Sequence, residues 1–195
     1  SILDQHSESY RKIRNTFRYL LGNLNDTFED INLEKIDTNK LPELEQLMLH
    51  KLYCLNLNFN KYFKNYDFHN LYKELLSFCT IDLSAFYFDI RKDTLYCDPK
   101  NSEKRKSSLL LLNVILNSLL KWFAPILSFT TEEIYQLISK KKKSIHLEKF
   151  QKIPKKFENL ELNKKWSELL KIRDICNLSI EEKRISKSIG SSLEA

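Results

Sequence analysis

The chain has 195 residues, with 32 basic and 26 acidic side chains and a formal net charge of +6. This charge permits binding to nucleic acid but does not by itself indicate it. A hydrophobic content of 42% can supply a core, while only two glycines and four prolines argue against a sheet-rich fold, because tight hairpins depend on glycine. The longest apolar window, Leu109 to Leu120, is too short to span a membrane.

The first predicted helix carries apolar residues at helical spacing from Tyr10 to Leu24. Ser7 is its predicted N-cap, and the helix is expected to extend to about Leu21. Gly22 is expected to end it in the left-handed conformation. A polar connection over residues 23–41 follows, with at most a short turn.

The next predicted helices follow in quick succession. Pro42 suits the first position of a second helix that extends to about Asn65. Asp67 is expected to cap a third helix through Phe78, and a fourth helical segment is predicted over residues 81–92.

Two more helices are predicted before the lysine run at residues 140–143. Ser102 begins a long helix that Pro125 ends, since proline removes a backbone donor. Thr130 and Glu133 form a capping-box pattern for a short helix that ends near Ile138.

The last part of the chain is more polar. Residues 144–150 are expected to be extended, and residues 159–187 to form a final helix. We therefore predict an all-α fold, an antiparallel helical bundle over residues 1–140, followed by a connecting segment and C-terminal helical arm over residues 141–195.

Three of the seven arginines fall within eight residues on the first helix. At 100° per residue, Arg11, Arg14, Asn15 and Arg18 share one arc, and apolar side chains fill the adjoining arc. No acidic residue occurs between positions 10 and 24, so no ion pair within that stretch is expected to offset the repulsion between the guanidiniums. The pattern predicts a surface that faces an anionic partner, and guanidiniums suit phosphates and unstacked bases.

Other interpretations of this stripe remain open. A basic face on an amphipathic helix is often only solvated. The stripe could also dock onto an acidic protein surface, or bind RNA stem-loops of any sequence as a general RNA chaperone.

The sequence shows no residue pattern that would let this chain act as an enzyme by itself. The four histidines are dispersed, and Cys54, Cys79, Cys97 and Cys176 form no C-x-x-C pair. We predict no catalytic and no metal-binding residues, and we expect reduced, mostly buried thiols in an intracellular protein.

Several stretches are specific enough to compare with known families. They are YRKIRNTFRYLLGNL (10–24), YDFHNLYKELLSFC (66–79), SAFYFDIRKDTLY (84–96), WFAPILSFTTEEIY (122–135) and IGSSLEA (189–195). In this order they resemble the anticodon-binding domain of isoleucyl-tRNA synthetases, a class I family. The fourth stretch is shared with valyl, leucyl and methionyl relatives, so the equivalent domain of one of those enzymes remains an alternative.

The resemblance implies a helical bundle that binds the anticodon stem-loop of isoleucine tRNA and performs no chemistry itself. It also implies that catalytic and editing domains lie in the same polypeptide. That polypeptide would be an isoleucine-tRNA ligase that uses ATP and Mg²⁺. The family's ATP-binding signatures are absent here, so we expect a segment of a longer protein, with no cofactor and no zinc in this part. We also expect a monomer without a membrane span, in the cytoplasm of a bacterium or in an organelle.

The predicted RNA-binding residues combine the arginine stripe with the resemblance. Arg14 is the first candidate. The others are Arg18, Arg11, Asn15, Lys12 and Lys121, the last standing where relatives often have arginine.

Overall fold

The computed structural model describes residues 1–24, 28–139 and 143–190, and their regular secondary structure is entirely helical. The main helices are α1 (Ile2–Leu24), α2 (Glu43–Lys64), α3 (Phe68–Ser77), a π-helical segment (Phe78–Phe88), α4 (Asp89–Cys97), α5 (Glu103–Phe123), α6 (Ser128–Ile138) and α7 (Leu160–Ile185). The predicted all-α bundle is confirmed. Residues 25–27 of the predicted connection, the predicted domain boundary at 140/141 and the final SSLEA lie outside the described residues.

Helix α5 lies at the centre of the bundle and contacts α1, α2, α4 and α6. The ring of Trp122 is fully buried and stacks on Phe59 of α2 at a centroid distance of 5.5 Å. Phe123 packs edge-on against Phe17 of α1 at 5.9 Å. These aromatic contacts fix α1 and α2 against the C-terminal half of α5.

The helices do not all alternate in direction. Hydrogen bonds from α2 to α3 and to the π-helical segment show that α2 runs antiparallel to both. In contrast, Glu45 near the start of α2 contacts Ser108 near the start of α5, while Phe59 and Trp122 meet near their ends. Helices α2 and α5 therefore run parallel, a relation that the antiparallel prediction did not include.

A buried polar network joins four elements of the bundle, α2, the π-helical segment, α4 and α5. Arg91 of α4 donates two hydrogen bonds to the carboxylate of Glu45, at 2.7 and 2.6 Å. The hydroxyls of Tyr87 and Ser108 also donate to Glu45, at 2.9 and 3.1 Å. Because the carboxylate is fully buried, these donors are what stabilise its charge.

Helix α1 is longer at both ends than predicted. It begins at Ile2 rather than after Ser7, because Ser1 and Asp4 satisfy its first turn: the Asp4 amide donates to the Ser1 hydroxyl at 3.2 Å, and that hydroxyl donates to the Asp4 carboxylate at 2.7 Å. The prediction that Gly22 ends the helix was also wrong, since no described glycine has positive φ and the helix continues beyond it.

Two further predictions need correction. Helix α6 begins at Ser128 without a side-chain cap, and Thr130 instead shares a hydrogen bond with Tyr10 of α1 at 2.9 Å. The predicted third and fourth helices form one continuous helix over residues 68–97, whose middle has the wider π-helical winding.

Other predicted boundaries agree with the structure. Asp67 and Ser102 cap α3 and α5, and Asn159 caps α7. Pro42, predicted at the first position of α2, lies one position earlier, at the N-cap. The stretch predicted to be extended instead contains a short 3₁₀ turn, Ile145–Leu147.

The chain divides into two compact units, Ser1–Glu158 and Asn159–Ala195. Residues after the lysine run belong to the first unit, because Ile145, Ile153 and Phe157 are buried in it. The ammonium of Lys156 also donates to backbone carbonyls of the loop before α2, at 2.6 and 2.8 Å. The first compact unit thus extends to Glu158.

The cysteines are free thiols with unequal exposure. Cys79 is buried and Cys54 is half-buried, but Cys97 and Cys176 are exposed, so the prediction of mostly buried thiols was wrong for these two. No group of three or more potential metal ligands occurs among the described residues. In the same residues, no helix has the length and hydropathy needed to cross a membrane.

Candidate nucleic-acid interface

The outer face of α1 carries the side chains that its periodicity predicts. Ile13 and Phe17 are buried against the bundle, while Arg14, Asn15 and Arg18 are exposed. Over residues 1–24, 28–139 and 143–190, neither Arg14 nor Arg18 takes part in an ion pair. Both guanidiniums are exposed, and within those ranges neither donates a hydrogen bond to another side chain.

Arg11 differs from the other two arginines. Its guanidinium donates two hydrogen bonds of 2.9 Å to Glu8, one turn earlier on α1. The hydrogen bond from Arg11 lowers the pKa of the Glu8 carboxyl, and Lys12 adds to the effect. The expectation of an uncompensated stripe is thus wrong at Arg11, because the acid-free stretch begins at residue 10 and Glu8, one turn before Arg11, lies just outside it.

A groove of about 510 Å³ lies between α1 and α6. Its apolar side chains are Phe17, Leu21, Ile134 and Leu137, and its polar side chains are Arg14, Asn15, Arg18, Thr130 and Glu133. The hydrogen bond between Tyr10 and Thr130 joins the two helices beside it. An apolar surface flanked by guanidiniums can accept a flat ring while the cations contact phosphates.

A second pocket of about 360 Å³ opens on the other side of Arg18, between α1 and the end of α4. It is lined by Asn15, Arg18, Tyr19, Gly22, Asn23 and Tyr96. Asn15, Arg18 and Gly22 line both cavities, and we call these three residues the ridge.

Tyr19 forms a fixed wall of the second pocket. Its ring stacks on Phe88 at a centroid distance of 4.1 Å, so one face of the ring is occupied within the bundle. Burial raises the pKa of Tyr19 to about 12, with a further contribution from the Tyr96 phenol. The Tyr96 side chain, in contrast, is 65% exposed at the mouth of the pocket.

Lys121 lies apart from the ridge. It lines a different cavity, of about 240 Å³, together with Glu29, Asp30 and Glu148. That cavity uses the opposite side of α6 from the groove, and its carboxylates offset the lysine charge. The structure therefore groups Arg14, Asn15 and Arg18, leaves Arg11 and Lys12 beside Glu8, and separates Lys121.

Several side chains of the two cavities were not predicted from the sequence. Thr130, Glu133 and Leu137 come from α6, and Asn23 and Tyr96 line the second pocket. The amphipathic pattern of α1 shows which of its faces is exposed, but it does not show which helices lie beside that face. No local motif marks these five residues as part of a binding site, because the capping-box pattern at Thr130 and Glu133 predicts only the start of a helix.

Comparison with known proteins gives a family and a set of relatives. A family model described as the anticodon-binding domain of tRNA ligase matches residues 45–195. The match thus begins near the start of α2 and does not include α1.

The relatives are similar over the whole chain, including α1. A protein named isoleucine–tRNA ligase from Pelagibacter ubique is 72% identical over 195 residues, which is 100% of this chain and 22% of that protein. Proteins of the same name from Bartonella henselae and Agrobacterium fabrum are each 42% identical, over 100% of this chain and 20% of their own lengths. The chain therefore spans about a fifth of the length of these relatives.

Proposed function

We infer that this chain, which belongs to the family of anticodon-binding domains of tRNA ligases, binds the anticodon stem-loop of a tRNA through the groove between α1 and α6. One observation carries the inference: the guanidiniums of Arg14 and Arg18 are exposed, make no ion pair among the described residues and flank an apolar surface.

The chemistry of the groove suits an unpaired RNA loop. Guanidiniums bind phosphate oxygens through two parallel hydrogen bonds, which positions the backbone. The apolar side chains Leu21, Ile134 and Leu137 can contact the face of an unstacked base. Glu133 and Thr130 supply acceptors for a base amino group. A groove with both features fits RNA better than a flat basic patch does.

We propose that the tRNA is an isoleucine tRNA, because the relatives that match the whole chain carry the name isoleucine–tRNA ligase. In this proposal the chain is part of a monomeric isoleucine–tRNA ligase of a bacterial or organellar cytoplasm. Catalytic and editing domains elsewhere in the polypeptide then bind ATP and Mg²⁺ and perform the chemistry.

The first experiment compares Arg14→Glu with the parent chain in a titration of the isoleucine anticodon stem-loop. We expect affinity to fall by at least about tenfold, because a cation beside phosphates becomes an anion. Lys106→Glu makes the same change of net charge at an exposed position on α5 and should change affinity much less. Circular dichroism should be the same for all three proteins.

Competition among stem-loops tests the choice of tRNA. The stem-loop with the isoleucine anticodon should displace the labelled RNA at a lower concentration than stem-loops with other anticodons. Equal competition by all stem-loops would support a general RNA-binding protein instead. No binding to any stem-loop, together with RNase-resistant capture of an acidic protein, would support a docking domain.

A further inference from the structure

Gly22 is the residue on the ridge that the fold itself does not explain. It lies within α1, and no described glycine has positive φ, so its backbone conformation is open to any residue. A Cβ built at this position would meet no atom of the described residues within 4 Å, so none of the helices given above requires its absence either. Alanine would be the better helix former at such a site.

The position of Gly22 suggests what approaches it. With Asn15 and Arg18, it occupies successive turns of α1 and separates the groove beside α6 from the pocket beside Tyr96. Glycine is typically used where a backbone must pass close to a ligand. Here the lack of a side chain leaves a low point beside an exposed guanidinium.

The two cavities can each hold a base. Their volumes, about 510 and 360 Å³, lie in the range of small-molecule sites. Each has a face for stacking, Leu137 in one and the exposed ring of Tyr96 in the other, and each has amide or hydroxyl groups for base edges. Since unpaired RNA loops present bases in different directions from one backbone, a ridge between two cavities matches such a loop.

We propose that the sugar–phosphate backbone of the RNA crosses α1 at Gly22, with a phosphate bound by Arg18 and the bases of the two flanking nucleotides in the two cavities. This inference rests on the proposed RNA binding and adds its path: the backbone crosses the ridge rather than following the groove. The Asn15 amide, exposed on the same ridge, supplies a donor and an acceptor next to the bound phosphate.

Substitutions at Gly22 test the crossing. Gly22→Ala should raise the Tm by about 2–4 °C, because alanine favours the helix, and yet weaken binding of the isoleucine anticodon stem-loop. Gly22→Gln should weaken it further, by at least about tenfold, because a longer side chain occupies the path. Retained affinity in Gly22→Gln would overturn the proposal.

Abasic nucleotides test the placement of the two bases. Tyr96→Ala and Leu137→Ala are each titrated with stem-loops that carry one abasic nucleotide at successive loop positions. We expect each substitution to weaken affinity except towards the stem-loop that lacks the base it contacts. The missing base should differ between the two substitutions, and the two positions should be neighbours in the loop. If both substitutions couple to the same nucleotide, or to none, the two-cavity path is wrong.

The experiments distinguish a failure of RNA binding from a failure of the crossing at Gly22. If the parent chain binds no stem-loop, the proposed function fails and the path fails with it. If Arg14→Glu loses affinity but Gly22→Gln keeps it, RNA binding stands and only the crossing is wrong.

Discussion

The three arginines on the exposed arc of α1 differ in whether they form an ion pair. Arg11 is paired with Glu8, whereas Arg14 and Arg18 make no ion pair in the described part of the chain. The sequence predicted their exposure, because periodicity alone determines which face of an amphipathic helix is buried. The prediction did not include the Glu8 pair, because the stretch without acids begins at residue 10 and Glu8 lies just before it.

Burial of charge was likewise not visible in the sequence. Arg91 follows the acidic Asp89 on α4, a local pattern that resembles a solvated helical face. In the structure Arg91 is 6% exposed, and its guanidinium donates to Glu45, which is 46 positions away. Such a partner can be found only once α2 and α4 are known to be neighbours.

Removing Arg91 should destabilise the bundle strongly. Arg91→Met leaves the fully buried Glu45 carboxylate without its cation, and we expect the free energy of unfolding to fall by about 3–5 kcal/mol. Urea unfolding followed by circular dichroism measures the change.

The neighbouring lysine provides the matched control for that measurement. Lys92 pairs with Asp89 at 3.0 Å on the surface, where water and salt already screen both charges. Lys92→Met should therefore change the unfolding midpoint little. Equal effects of the two substitutions would contradict the structural importance of the buried pair.

His50 gives the bundle a dependence on pH. Burial lowers its pKa from 6.5, with Lys51 acting in the same direction and Glu158 against it. Below pH 6.5 the unfolded chain then binds a proton that the folded chain resists, so the free energy of unfolding should decrease as pH falls from 7 towards 5.

Substitution of His50 isolates this contribution. Urea unfolding at several pH values should show a smaller decrease in His50→Gln than in the parent chain. His69→Gln, which changes an exposed histidine, serves as the control. An unchanged pH dependence in His50→Gln would assign the effect to other groups.

At the scale of elements, the helices were predictable but their relations were not. Caps such as Asp67 and Ser102 are local signals that the structure confirms. Gly22 failed as a stop signal, because Leu24 is buried and packing continues the helix beyond the glycine. The π-helical winding of residues 78–88 also has no sequence rule of comparable strength.

The groove depends on the contact between α1 and α6. The hydrogen bond between Tyr10 and Thr130 lies partly out of water. Tyr10→Phe and Thr130→Val should each lower the free energy of unfolding by about 0.5–1.5 kcal/mol. In the double mutant the losses should be less than additive, because both substitutions remove the same bond. Additive losses in urea unfolding would show that the bond contributes nothing.

At the scale of the whole molecule, the pairing of distant segments determines the candidate site. The sequence predicts one wall of the site, the exposed face of α1, because that face is determined by the fifteen consecutive residues 10–24. The other walls come from α6 and the end of α4, and only the folded bundle brings them beside Arg18. The same long-range packing places residues 143–158 in the first compact unit.

The net charge of the chain predicts RNA binding less well than the location of its unpaired cations does. The chain carries +6 overall, yet some of its cations are paired, as Arg91 is with Glu45, or share a cavity with carboxylates, as Lys121 does. Binding that depended on total charge would be insensitive to which cation is removed. Binding through the ridge and groove should depend on Arg14 and Arg18 in particular.

The salt dependence of RNA affinity tests this claim most directly. The isoleucine anticodon stem-loop is titrated at several KCl concentrations with the parent chain, the Arg14→Gln/Arg18→Gln double variant and Lys106→Gln as a control. We predict that the slope of log affinity against log salt becomes shallower by about two in the double variant, about one for each phosphate that is no longer neutralised, and stays unchanged in the control. Parallel lines for all three proteins would contradict phosphate binding by these two arginines.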